Sequence, residues 1–253
     1  MARIRLFPLL VVIVLAACTG DDDVPASTTS TTTSTVVLEV APVESQADAY
    51  FDALAANQPD DPAAASAVPG SDAARYAEHQ AAARGLLGVT TTRTLVTGGV
   101  DFEICELDDA CTTYSAVVSD PVSGLVAGFS IDDVSVAGRI VGGGLVADGD
   151  GAVARVASAH QTNDGDVFVL VEIDNTTDVP IEMFGFAGVL NDGAGGTGVE
   201  AIGAWGDQQF PAGAVGELLL QFPAADLNGV VQLSGLRGDG LDISLDLRLP
   251  NPA

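Results

Sequence analysis

LDISLDLRL, residues 241–249, decides how the chain reads. Leu241, Ile243, Leu245, Leu247 and Leu249 alternate with Asp242, Ser244, Asp246 and Arg248. A strand turns successive side chains to opposite faces, so a strict period of two predicts a half-buried strand with one apolar side. The same period recurs upstream. Val167, Val169, Val171 and Ile173 alternate with Phe168, Leu170, Glu172 and Asp174. Leu218, Leu220 and Phe222 share a face, as do Val231 and Leu233, and Asn163-Asp164-Gly165 and Asn191-Asp192-Gly193 are turn signals. About seven short strands with turns at regular spacing predict an all-β sandwich over residues 148–253.

Before residue 148 the pattern differs. Ser45-x-x-Asp48 is a capping box of the Asp kind, and Ala47, Tyr50, Phe51 and Leu54 follow at helical spacing. Pro59, Asp60, Asp61 and Pro62 stop that helix. A second helix is predicted over 71–87, capped by Ser71, with Tyr76, Ala83 and Leu87 on one face. From Val89 the period changes to two. Strands are predicted over 90–96, 100–106, 111–118, 125–131 and 134–141, separated by turn residues such as Gly98-Gly99 and Asp120-Pro121. Leu125, Ala127, Phe129 and Ile131 point one way. Two helices packed on an antiparallel sheet make an α+β domain over residues 43–147. Gly142-Gly143-Gly144 and Asp148-Gly149-Asp150-Gly151 read as a flexible join to the sandwich.

Two stretches of the sandwich carry a resemblance. VLVEIDNTTDVP, residues 169–180, resembles the second strand and turn of an immunoglobulin-like domain common in bacterial lipoproteins. FPAGAVGELLLQFP, residues 210–223, resembles the Pro-x-Gly turn and following strand of that family. The resemblance covers residues 152–249. It implies an extracytoplasmic domain of binding or unassigned role and carries over no catalytic residue. By element order, residues 43–145 resemble a short form of the cone-shaped nuclear-transport-factor-like fold.

The beginning of the chain reads as an export signal. Arg3 and Arg5 precede the apolar run 6–15, and Leu15-Ala16-Ala17-Cys18 follows. A basic start, an apolar middle and a small-residue cleavage site make a secretory signal over 1–17. The run is too short for a membrane span, which needs about 20 apolar residues. LAAC resembles the lipobox of bacterial lipoproteins. That resemblance implies that Cys18 becomes the first mature residue and the lipid attachment site, on the extracytoplasmic side of a bacterial membrane. Residues 18–42, rich in Ser and Thr, have nothing to bury and read as a disordered tether.

Charge narrows the partners. The chain holds 35 acidic residues against nine basic ones, all arginine, for a formal balance of −26. Such a surface repels phosphate backbones, so no nucleic-acid partner is expected. It also repels anionic lipid head groups, so membrane contact must come from the acyl chains. Three cysteines are present. With Cys18 assigned to lipid, Cys105 and Cys111 remain as an even pair in an oxidising setting. They flank a predicted hairpin and are expected to form a disulfide.

The chemical patterns are thin. Gly193-Ala194-Gly195-Gly196-Thr197-Gly198 satisfies G-x-G-x-x-G, but a strand follows it, whereas a dinucleotide site needs a helix there. Asp148 and Asp150 begin like a calcium loop, but Ala152, Val153 and Ala159 stand where a ligand, the glycine and the glutamate are required. Asp164 with Asp166 is a similar fragment. No metal and no cofactor is therefore expected. His79 and His160 are the two histidines. Tyr50, His79, Asp101, Glu103 and Tyr114 could supply an acid and a base to a pocket in the first domain, although no spacing demands it. Trp205 reads as a core residue, with an exposed anchor as the alternative. The expectation is a lipid-anchored, non-catalytic binding or envelope-assembly module with an envelope protein or glycan partner. The alternative is an enzyme or small-molecule carrier using the pocket of the α+β domain. The sequence leaves the oligomeric state open.

Overall fold

Ala47, Tyr50, Phe51 and Leu54 fall on one side of helix α1 (Gln46–Ala56) and are buried, as side chains three and four apart on a helix must share a face. The structure is a computed structural model that describes residues 46–56, 62–89, 93–97, 100–106, 110–191 and 198–250. The signal 1–17, Cys18, the tether 18–42, Ser45 and residues 193–197 of the glycine run lie outside the described residues. Helix α1 ends at Ala56, before the stop read over 59–62, and Pro62 opens α2 (Pro62–Ala65). Proline suits a first helical position because its missing N–H leaves no helical bond unmade. In α3 (Asp72–Leu87) the Ser71 hydroxyl accepts a hydrogen bond from the Ala74 N–H at 3.2 Å. Gly88, at φ 64°, ends the helix, and the next N–H, that of Val89, returns to the Arg84 carbonyl.

A five-stranded antiparallel sheet follows in chain order: β1 (Thr94–Thr97), β2 (Phe102–Cys105), β3 (Cys111–Ser119), β4 (Val126–Ile131) and β5 (Val134–Ser135). Its helix-facing side carries Phe102, Ile104, Tyr114 and Phe129, all buried with Phe51 of α1. The Phe51 ring stacks on Phe102 at 4.3 Å and tilts against Tyr114 at 5.2 Å and Phe129 at 5.6 Å. These rings fill the space between helices and sheet. Cys105 stands opposite Cys111 across β2 and β3, and their sulfurs lie 2.10 Å apart.

The strand expected over 134–141 is two strands in different sheets. A turn closed by Arg139 N–H to Val136 C=O, with Gly138 at φ 73°, redirects the chain after β5. Beyond it, β6 (Ile140–Gly142) and β7 (Val146–Gly149) both pair with β8 (Ala152–Gln161). Half of the segment read as a flexible join, Gly142 and residues 146–149, is thus strand. Asp150 at φ 51° and Gly151 at φ 93° make the tight turn between β7 and β8. Positive φ at both central positions matches the right-handed twist of a hairpin, and Asp-Gly tolerates it.

Among the remaining described residues the strands are β9 (Val167–Asn175), β10 (Ile181–Met183), β11 (Val189–Asn191), β12 (Val199–Glu200), β13 (Gly203–Gly206), β14 (Gln209–Phe210), β15 (Val215–Phe222), β16 (Val230–Arg237) and β17 (Asp242–Arg248), with a single 3-10 turn at Gly185–Ala187. One six-stranded sheet runs β13-β15-β9-β8-β6, with β7 also on β8. The other runs β12-β11-β16-β10-β14, with β17 on β16. They face each other as a β-sandwich. Val169, Val171, Ile173, Leu218, Leu220 and Phe222 of the first sheet share one core with Ile181, Met183, Val231, Leu233, Ile243, Leu245 and Leu247 of the second. Each such burial contributes about 1.5–3 kcal/mol before the entropy of ordering is subtracted. In β17 the leucine-rich side is buried and the Asp, Ser and Arg side is exposed.

The described residues form one compact unit. The outer face of the β8–β9–β15 sheet is covered by α3: Ala82, Ala83, Leu86 and Leu87 pack on Ala157, Phe168, Leu170, Leu219 and Trp205. Trp205 is half-buried under the helix, outside the sandwich core.

Candidate functional site

Where α3, the end of the first sheet and the outer face of the sandwich converge, they leave a cleft of about 390 Å³, within the size range of small-molecule sites. Helix α3 lends Tyr76, His79, Gln80, Ala83, Arg84 and Leu87 to it. Their spacing of three, one, three, one and three makes a single stripe on the helix. The first sheet lends Arg93, Glu106, Thr112, Tyr114 and Ile131. Strand register explains this set: Thr94 pairs with Cys105, Ile104 with Thr112, and Tyr114 with both Phe102 and Ile131. The face that carries the aromatic core therefore continues past the helices into polar residues. The sandwich lends His160 and Phe168, which are cross-strand partners on β8 and β9, and the turn Thr162–Asn163–Asp164 between those strands.

Hydrogen bonds hold the walls in place. Asn163 Nδ2 donates to the Ile131 carbonyl at 3.0 Å, tying the sandwich turn to β4. The Arg139 guanidinium donates to Asn163 Oδ1 and to the Thr162 carbonyl. Arg93 donates from Nε and Nη2 to Glu106 Oε1, each at 3.2 Å. His79 Nδ1 and Ser158 Oγ share a bond of 2.8 Å, anchoring α3 to β8.

The floor is aromatic, polar and uncharged. The Tyr76 ring meets His160 edge-on at 5.2 Å, and the imidazoles of His79 and His160 lie 5.7 Å apart. Burial, reinforced by His160, lowers the His79 pKa to about 3. Burial and the Arg139 charge lower that of His160 to about 4. Both are therefore neutral near pH 7, because a low-dielectric surrounding disfavours imidazolium. Burial raises the phenol pKa of Tyr76 and of Tyr114. The two hydroxyls stand 3.5 Å apart, too far for a good hydrogen bond. His160 is only 7% exposed, yet among the described residues its ring has no hydrogen-bond partner.

The residues singled out from the sequence are dispersed. His79 and Tyr114 meet in the cleft. Tyr50 lies in the helix–sheet core, its hydroxyl donating to the Ala73 carbonyl at 2.8 Å. Asp101 and Glu103 are exposed, Glu103 on the side of β2 away from the core. No acid–base pair forms from that set: His79 is bonded to a serine hydroxyl, and among the described residues neither imidazole is hydrogen-bonded to a carboxylate. Also among the described residues, no group of three or more His, Cys, Asp or Glu is placed to hold a metal ion. No described helix is long and apolar enough to cross a membrane. Sequence reasoning missed Tyr76, Arg93, Glu106, Asn163 and Phe168 as cleft residues. The helical stripe 76, 79, 80, 83, 84, 87 was a visible signal, since it mixes His, Gln and Arg into a face that packing alone would keep apolar.

No protein-family model matches the sequence, and no curated protein matches it.

Proposed function

We propose that this chain is a lipid-anchored binding module of the bacterial cell envelope, and that it binds a small molecule in the cleft between α3, the first sheet and the sandwich. In this reading Cys18 carries the lipid, residues 18–42 hold the folded part off the bilayer, and the sandwich is of the immunoglobulin-like kind. The helices and first sheet are a shortened nuclear-transport-factor-like cone whose interior is filled by Phe51, Phe102, Tyr114 and Phe129, so the binding place moves to the cone's open end. The observation that carries the reading is the His160 imidazole at the cleft, 7% exposed and without a hydrogen-bond partner among the described residues, with its nitrogens open to the cleft. These nitrogens are not sealed inside the protein, so their bonding capacity is turned to the cleft and is met by water or by a ligand that displaces it. A ligand with matching donors and acceptors completes hydrogen bonds that the protein itself does not make there.

The chemistry supports binding over turnover. A general acid or base works best with a pKa near the operating pH, and burial takes both imidazoles far below it. The chain's two histidines both line the cleft, so histidine labelled with ¹⁵N reports on it directly. The test adds low-molecular-weight extract of bacterial envelope to the labelled protein. Movement of both imidazole signals is the expected result; unmoved signals at saturating extract would overturn the assignment of the cleft. For the anchor, Cys18→Ala is expected to shift the protein out of the membrane fraction, and continued processing and membrane attachment would refute it.

A further inference from the structure

Resting on the assignment of the cleft as the binding site, we infer that its ligand is an uncharged carbohydrate of one or two rings, held through hydroxyls by His160, His79, Tyr76 and Tyr114, with its C–H face against Phe168. The floor supplies ring groups that each donate or accept with no formal charge. Capacity is left over on all four. His160 has no partner among the described residues. His79 commits one nitrogen to Ser158. The tyrosine hydroxyls make one long contact with each other. A ligand that fills this capacity must carry several neutral donor–acceptor groups on one side, which is what a sugar ring offers.

Charge excludes the other classes. The burial that keeps the imidazoles neutral opposes a further cation beside them, and Arg84 and Arg93 already bring two guanidiniums to the cleft. An anion meets the opposite obstacle. Arg84 and Arg93 line the cleft, but Arg93 is already engaged by Glu106, and the three carboxylates Glu106, Asp132 and Asp164 outnumber them. The chain as a whole carries a formal −26, so its field repels negative ligands. On the apolar side, Phe168 faces the cleft beside Leu87 and Ile131. An aromatic face against the C–H face of a sugar ring removes apolar surface from water, while the hydroxyls point to the opposite wall.

The test uses the full chain labelled with ¹⁵N-histidine and a panel of neutral sugars: glucose, galactose, mannose, N-acetylglucosamine and their β-linked disaccharides. Glucosamine and glucuronate are the cationic and anionic controls. At least one neutral sugar should move both imidazole signals in a saturable way, and the charged controls should bind at least about tenfold more weakly. His160→Phe should weaken that sugar at least about tenfold. Tyr114→Phe, which deletes one hydroxyl and keeps the ring, should weaken it at unchanged melting temperature, separating lost contact from lost fold. Equal or tighter binding of a charged control would overturn the carbohydrate assignment and leave the cleft as a site for another class. If no sugar in the panel moves the imidazoles while envelope extract does, the carbohydrate assignment also falls and the site stands. If neither moves them, both fall.

Discussion

Asn175 ends strand β9 and His160 lies near the end of β8, two neighbouring strands of one sheet. Both side chains are polar and buried, yet they are used in opposite ways. The Asn175 amide donates to the carbonyls of Val179, Phe210 and Pro211 at 2.8–3.0 Å, while its oxygen accepts from the Thr177 N–H and hydroxyl. It closes the end of the sandwich. The His160 ring touches Tyr76 and His79 and makes no hydrogen bond among the described residues. Burial by itself thus says little about role. A buried polar group with every bond made is part of the scaffold, and one left open toward a cleft is prepared for something that arrives later.

Acid should break this comparison most sharply, because Asn175 has no charge to gain. Burial lowers His79 to about 3 and His160 to about 4 in the folded chain, whereas the unfolded chain takes up protons near the ordinary histidine value of about 6.5. Below that value the unfolded state binds more protons than the folded one. Stability is therefore fully present above about pH 6.5 and falls as pH drops toward 4, by about 1.4 kcal/mol per pH unit for each histidine. Urea titrations between pH 6 and 4.5 should show a slope that is roughly halved in His160→Phe. An unchanged slope in that variant would mean that His160 is not held neutral.

Next in size is Asn175→Ala, which removes a donor from the Val179, Phe210 and Pro211 carbonyls and the acceptor of the Thr177 N–H, although Val179 keeps the Thr177 hydroxyl and Pro211 the Ala214 N–H. A loss of about 3 kcal/mol is expected in denaturant titration, from lost bonds and desolvated groups worth about 1–3 kcal/mol each. A change below about 1 kcal/mol would erase the distinction drawn between the two side chains.

Smaller again is the effect of the Cys105–Cys111 link, which closes a short loop at the cleft end of the first sheet. The double variant Cys105→Ser/Cys111→Ser should lose about 2 kcal/mol through the entropy of the unfolded chain. The sandwich should keep its own signals in that variant, since the sulfurs sit on β2 and β3.

The same contrast explains how much could be read from the sequence. Residues 242–248 of LDISLDLRL became β17 with Ile243, Leu245 and Leu247 inward, while Leu241 lies before the strand and is exposed, and the strand 167–175 kept its expected face because Val167, Val169, Val171 and Ile173 all turn inward. Ser71 caps α3 as its type and position imply. These features depend on neighbours in the chain, so periodicity and local bonding encode them. The crossing of the chain at Val136–Arg139 was hidden, because 134–141 keeps a strand-like composition while a turn splits it. Val126 is buried although it alternates out of phase with Phe129, because the Ser66–Val68 segment bonds to its backbone from the side. The cleft was the least legible. It joins Tyr76, Tyr114 and His160, which are far apart in the chain, and only the docking of α3 on the β8–β9 face brings them together.

The smallest expected effect is also the most telling. His160→Phe exchanges one flat ring for another of similar size and removes polar atoms that have no hydrogen-bond partner among the described residues. Replacing an unpartnered polar group by an apolar one of the same shape is close to neutral, and the surroundings suit the new ring, with Tyr76 at 5.2 Å and Phe168 directly across the strands. At pH 7.5 the variant should therefore stay within about 1 kcal/mol of the parent in stability, or exceed it. Its binding should nonetheless collapse, since the missing atoms are the ones offered to the ligand. Asn175→Ala should show the reverse order, with a large loss of stability and ordinary affinity in the fraction that remains folded. Melting curves and sugar titrations on both variants measure the two quantities side by side. If His160→Phe unfolds the protein, the imidazole makes a structural bond and the assignment of the cleft loses its support. If it binds as tightly as the parent, the open valence at the floor has no ligand to explain it.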